Sequence, residues 1–107
     1  MQNNWDNQKT KDLIKVILAL KGEKEAKEFF RDLLTEKEII EFGNRWYATK
    51  MLDEKISYKD IEKETGLSSR TIARISKWLK DGQGGYRKML KRVNHHHNLS
   101  PSRKRLC

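Results

Sequence analysis

Residues 56–79 read ISYKDIEKETGLSSRTIARISKWL, and the punctuation of this stretch decides the fold. Ser57 stands three residues before Asp60, so its hydroxyl can accept from a free amide of a first helical turn while the acid favours the positive end. The spacing predicts a helix from about Tyr58 that carries Ile61 inward and stops at Gly66, whose missing Cβ admits a left-handed turn. Leu67 is expected to be buried in the corner, and Ser68 or Ser69 to cap a second helix. On that helix Ile72, Ile75 and Leu79 recur at three- and four-residue steps and make one apolar stripe. The opposite face shows Ser69, Arg70, Ala73, Arg74 and Lys77: donors at the start, a small residue for close approach, cations along the flank. A helix lying in the major groove presents such a face. The stretch reads as a helix-turn-helix over about 57–80, with duplex DNA as the leading partner.

The charge distribution points the same way. Residues 1–56 hold eleven Lys/Arg against eleven Asp/Glu, so the whole net charge of +9 lies downstream. Residues 57–107 carry thirteen Lys/Arg against only Asp60, Glu62, Glu64 and Asp81. A merely solvated surface mixes signs, whereas this surplus coincides with the proposed reading helix and everything after it. A polyanionic partner follows, bound with an affinity that falls steeply with salt as counterions are released.

At 107 residues the chain is read as one domain with a small core, gaining stability by burying further surface against a second copy. The longest apolar run, Val16 to Leu20, is far short of a membrane span, and no signal-peptide pattern opens the chain. A cytoplasmic protein without a membrane partner is expected. The single cysteine, Cys107, has no internal disulfide partner, which fits a reducing compartment.

With Pro101 as the one proline and no alternating β-branched run, the chain reads as all helix, with about six helices. A first helix is expected from about Asp6 to Leu20, with a broad stripe of Leu13, Ile14, Ile17, Leu18 and Leu20, broken by Gly22. A second carries Ala26, Phe29, Phe30 and Leu33. Thr35 and Glu38 form a capping box for a long third helix that turns Ile39, Phe42, Trp46 and Tyr47 toward neighbours and ends near Asp53. Two broad apolar helices ahead of a reading unit suggest a homodimer, because twofold-related units read half-sites about 34 Å apart. After the glycine-rich turn at Gly82, Gly84 and Gly85, a short last helix carries Tyr86, Met89, Leu90 and Val93 and holds Arg87, Lys88, Lys91 and Arg92 near the DNA backbone. Residues 1–93 are thus taken as the DNA-binding and dimerisation domain and residues 94–107 as a flexible basic tail.

The order of parts resembles the Trp repressor family: Thr35 opening a long helix that holds Arg45, the unit from Ile56 to Gly66, and Thr71-Ile72-Ala73-Arg74 in the reading helix. Phe29-Phe30-x-Asp32-Leu33, Met51-Leu52 and Glu62-x-Glu64-Thr65-Gly66 are similar to its YerC/YecD branch, over roughly residues 10–93. The resemblance implies an intertwined all-helical homodimer that binds operator DNA and represses transcription. On that reading Ser69, Arg70 and Ala73 face bases beside Thr71, Arg74 is shared between DNA and an effector pocket, and Lys77, Lys80 and Arg87 contact phosphates.

The resemblance also implies where an effector would sit: between Arg45 and Arg74, with Thr35 as a further contact. The chain departs from that pattern, since Ile75 stands where a glycine is expected and Trp78 where a small serine binds the amine. Free tryptophan is therefore not expected to be the effector. Two readings of Trp78 stay open: a core or interface residue, or a side chain that itself fills the indole slot.

No catalytic arrangement is present, because the thiol is terminal, the histidines cluster at 95–97 and no glycine loop cradles a phosphate between a strand and a helix. No cofactor and no native metal are expected; His95, His96 and His97 are adjacent, which lacks the spacing of a fixed site. Asn98-Leu99-Ser100 has the form of a glycosylation acceptor that arises by chance, and Arg103-Lys104-Arg105 is either an arm on phosphates or a solvated tail. Two alternatives to a sequence-specific regulator are a nucleic-acid-binding protein without sequence preference, architectural or RNA-binding, and a dimer that engages an acidic protein.

Overall fold

The structure, a computed structural model, describes residues 4–98, with side chains up to residue 94. Cys107, Pro101, the Asn98-Leu99-Ser100 triplet beyond its first residue and the Arg103-Lys104-Arg105 run lie outside the described residues, as do the side chains of His95, His96 and His97. Six helices follow in order: α1 (Gln8–Ala19), α2 (Gly22–Leu33), α3 (Glu36–Asp53), α4 (Tyr58–Thr65), α5 (Ser69–Asp81) and α6 (Gly85–Asn98). Among the described residues there is no strand, and no helix is long and apolar enough to cross a membrane. The chain divides into two compact units, Met1–Ile40 and Glu41–Cys107, with the boundary inside α3.

In the first unit, α1 is capped by Asn7, next to the expected start at Asp6, and the Asn7 side-chain oxygen accepts from the Thr10 amide at 3.0 Å. It stops at Ala19, where Leu20 turns extended. Gly22 has a φ of +87°, a value costly for any residue with a Cβ, and this lets α2 start at once. Glu23 and Glu25 then occupy the positive end of α2, and the Glu25 carboxylate accepts from the Lys21 amide at 2.8 Å. The predicted capping box of α3 is present in both directions: Thr35 N–H donates to Glu38 at 2.9 Å and Glu38 N–H to the Thr35 hydroxyl at 3.1 Å.

No residue of α1 or α2 is buried. The stripe read from the sequence exists, yet within the chain none of it is buried: Leu13 and Leu20 are half-buried, Ile14 and Ile17 are exposed and Leu18 is 79% exposed.

The second unit holds the core. Ala48, Ile61, Ile72 and Ile75 are almost fully buried, with Met51, Leu52, Ile56, Leu67 and Tyr86 packed around them. Here α3 departs from expectation. Phe42 and Tyr47 stay exposed, Ile39 and Trp46 are half-buried, and the buried residues of α3 are Ala48 and Thr49. Ala48 joins the cluster of Ile61 from α4 and Ile72 and Ile75 from α5, and the Thr49 hydroxyl satisfies itself by donating to the Arg45 carbonyl at 2.8 Å. Leu67 is half-buried rather than sealed in the corner. Tyr86 of α6 meets Trp46 of α3 with ring centroids 6.4 Å apart. The helical backbone of α6 runs on to Asn98, past the expected end at Val93, because nothing between the two breaks a helix.

Candidate nucleic-acid interface

The reading unit is built by hydrogen bonds that its own sequence supplies. Ser57 Oγ accepts from the Asp60 amide at 3.1 Å and starts α4. Gly66 ends it in the left-handed region, at φ +76° and ψ +1°, with its N–H on the Glu62 carbonyl at 2.8 Å. Thr65 locks the corner: its buried hydroxyl donates to the Ile61 carbonyl at 2.7 Å and accepts from the Leu67 amide at 3.2 Å. Of the two candidate serines it is Ser68 that caps α5, accepting from the Thr71 amide at 3.2 Å.

Ile72, Ile75 and Leu79 bury one stripe of α5, as their spacing requires. The 3.6-residue period then puts Arg70, Ala73, Arg74 and Lys77 opposite the stripe, Ser69 and Lys80 along one edge, and Thr71 and Trp78 along the other. All of these are exposed except Thr71, which is half-buried and whose hydroxyl accepts from Ser68 Oγ at 3.2 Å. Arg87 is exposed too, near the start of α6. Asp81 is the one acid on the open face, at the last residue of α5.

The cations on this face have no ion-pair partner among the described residues. Among the described residues there are four ion pairs, Glu23–Lys27, Lys24–Glu28, Arg31–Glu36 and Glu41–Arg45, and none involves a cation after Arg45. Opposite charges in the N-terminal half neutralise one another at short range, whereas α5 and α6 present theirs to solvent, the arrangement that a row of phosphates rewards.

The four residues named for an effector pocket do not share a unit. Thr35 lies in the first, where its hydroxyl is the cap of α3. Arg45, Arg74 and Trp78 lie in the second, and each arginine is held by its own helix. The Arg45 guanidinium pairs with Glu41 at 2.9 Å and lies 5.9 Å from the Phe42 ring, with its Nε buried and unpartnered. Arg74 lies 5.8 Å from the ring of Trp78, one turn further along α5. Sequence reasoning passed over Glu41, although a Glu four residues before an Arg is a recognisable helical pair. It also passed over Thr65, whose locking role shows only once the corner is folded.

Comparison with known proteins agrees with this geometry. The model of the Trp repressor protein family matches residues 8–94. The uncharacterized protein YerC of Bacillus subtilis (strain 168) is 38% identical over 91 residues, 85% of this chain and 88% of that protein. The crystal structure of a TrpR-like protein from Eubacterium eligens ATCC 27750 superposes with a TM-score of 0.81 at 36% identity, covering 87% of this chain and 96% of that one. A Trp repressor candidate from Staphylococcus aureus superposes with a TM-score of 0.78 at 31% identity, over the same shares. The helix-turn-helix, its caps and the order of six helices therefore place this chain in the Trp repressor family, in the branch that contains YerC.

Proposed function

We propose that this protein is a sequence-specific, DNA-binding transcriptional repressor that acts in the cytoplasm as a homodimer and needs no free tryptophan. One observation carries the reading: α5 offers Arg70, Ala73, Arg74 and Lys77 on an exposed face, capped at its N-terminus and free of ion pairs. Arg70, Ser69 and Ala73 reach base edges, with Thr71 beside them at the cap. Lys77, Lys80 and Arg87 neutralise phosphates, and Arg74 serves the DNA from its place over Trp78.

The homodimer is supported by the first unit, whose apolar side chains on α1 find no burial within the chain. Independence from tryptophan is supported by Arg74, whose guanidinium already lies 5.8 Å from the centre of an indole on its own helix. The family is regulatory, which supports a binding role for the reading unit.

Selection of bound duplexes from a random pool at physiological salt tests the reading. A twofold-symmetric enriched motif supports it. Retention without enrichment would replace it by sequence-independent binding of nucleic acid, and no retention by a protein partner.

A further inference from the structure

We infer that the outer face of α6 is a second phosphate-binding strip, formed by Lys88, Lys91 and Arg92, that grips the sugar–phosphate backbone flanking the base pairs under α5. The inference rests on the DNA-binding reading above and adds to it a surface that does not read bases.

The three residues recur at steps of three and four, so they share one face of the helix, away from the buried Leu90 and the half-buried Tyr86. All three are exposed, and among the described residues none has an ion-pair partner. With Arg87, α6 carries four cations up to residue 94 and no acid at all.

Within the isolated chain this arrangement is unfavourable twice over. Arg87 and Lys88 stand in the first turn, where the positive end of the helix dipole repels cations and where an acid would be favoured; α6 has none there. Lys88 repels Lys91 and Arg92 at the spacings where opposite charges would attract. A row of phosphates reverses the sign of each of these terms. Charge complementarity therefore selects a polyanion.

Connectivity places the strip beside the reading helix. Only residues 82–84 separate α5 from α6, and a link of that length spans at most about 14 Å. The short link keeps the first turn of α6, with Arg87 and Lys88, close to the last turn of α5, with Lys80. On the apolar side of α6 Leu90 is buried and Tyr86 lies against Trp46, while Met89 and Val93 are exposed, two side chains that make too narrow a greasy face to lay into a bilayer. Arg92 rests its guanidinium on the Met89 sulfur at 3.9 Å, which braces it on the helix surface. A stiff helix with its cations on one face, close in sequence to α5, fits a stiff duplex.

The test uses the full-length chain and its Lys88→Ala/Lys91→Ala/Arg92→Ala variant. Alanine keeps the helix and the three positions are exposed, so the variant folds. Binding is measured by fluorescence anisotropy at several salt concentrations, on a duplex just covering the selected motif and on one extended by about one helical turn at each end. The wild type is expected to bind the longer duplex tighter and with a steeper salt slope. The variant is expected to lose that advantage, with its slope on the longer duplex shallower by about three for each chain bound, while the ranking of base substitutions in the motif is unchanged.

Equal slopes for the two proteins on the longer duplex overturn the strip and leave the function standing. So does a changed ranking of base substitutions, which would make these residues readers. So does tighter binding of the wild type to vesicles of anionic phospholipid than to DNA. Failure of the wild type to bind either duplex overturns the strip and the DNA-binding reading together.

Discussion

The guanidinium of Arg74 lies 5.8 Å from the centre of the Trp78 indole, on the exposed side of the reading helix. Trp78 is itself 48% exposed, so the ring does little for the core and a good deal for the arginine above it. Contacts of this kind at exposed sites contribute about 0.5–1 kcal/mol. Replacing Trp78 by Leu should weaken specific DNA binding by that amount, roughly two- to fivefold. In a double-mutant cycle with Arg74→Ala the two losses should be less than additive, whereas simple additivity would show that the ring does not act through the arginine.

Added L-tryptophan should leave the affinity of the wild type for its selected duplex unchanged. Isothermal titration of the free protein with tryptophan should likewise give no heat of binding. A tenfold tightening on tryptophan addition would restore the amino acid as co-repressor and displace Trp78 from the role given above.

Arg70 and Lys80 are both exposed cations of α5, on its open face and on its edge. Arg70→Ala should cost about 1–3 kcal/mol on the selected duplex and relax preference at one position. Lys80→Ala should weaken all sequences alike and flatten the salt slope by about one. Equal losses on selected and random duplexes for both variants would remove Arg70 from the bases.

Leu18 faces solvent within the chain, and a polar substitution there should be nearly neutral for a monomer. On the proposal that a second copy covers α1, Leu18→Asp should instead abolish the dimer in sedimentation equilibrium and lower the unfolding midpoint. An unchanged molecular mass and midpoint would place the dimer contact elsewhere.

Three glycines make a graded test of the backbone. At Gly82 an added Cβ would lie 2.5 Å from the Trp78 carbonyl oxygen, a backbone atom that cannot swing away. Gly82→Ala should cost about 1–3 kcal/mol. Gly66 has open space but a φ of +76°, so Gly66→Ala should cost about 1–2 kcal/mol through strain alone. Gly43 sits inside α3 with nothing within 4 Å, and Gly43→Ala should stabilise by about 0.5–1 kcal/mol in urea unfolding. Destabilisation at Gly43 would reveal another backbone packed close against that turn in the assembled protein.

The reading unit was legible because its determinants are local. Ser57, Gly66 and Ser68 act within four residues of themselves, and cap chemistry does not wait for the tertiary fold. The Thr35–Glu38 box was legible for the same reason. The role of α3 was harder to see. Ala48 and Thr49 carry a weak hydrophobic signal, and Ala48 is buried through a cluster with Ile61, Ile72 and Ile75, a fact about distant sequence. Phe42 and Tyr47 carry a strong signal and remain exposed within the chain. In the site itself, residue identities on the open face followed from periodicity, but the partners of Arg45 and Arg74 depend on side-chain rotamers that spacing only permits.

If a second copy covers α1 and α2, as the proposed homodimer requires, the absence of any buried residue in them makes the chain depend on its own abundance. Two amphipathic helices whose greasy sides are satisfied by another copy are orderly when copies are plentiful and loose when they are scarce. Loose segments are what proteases cut first. Dilute chains would be cleared faster than concentrated ones, so occupancy of the DNA would rise more steeply than synthesis, and a regulator of this build would switch off promptly once its production stopped.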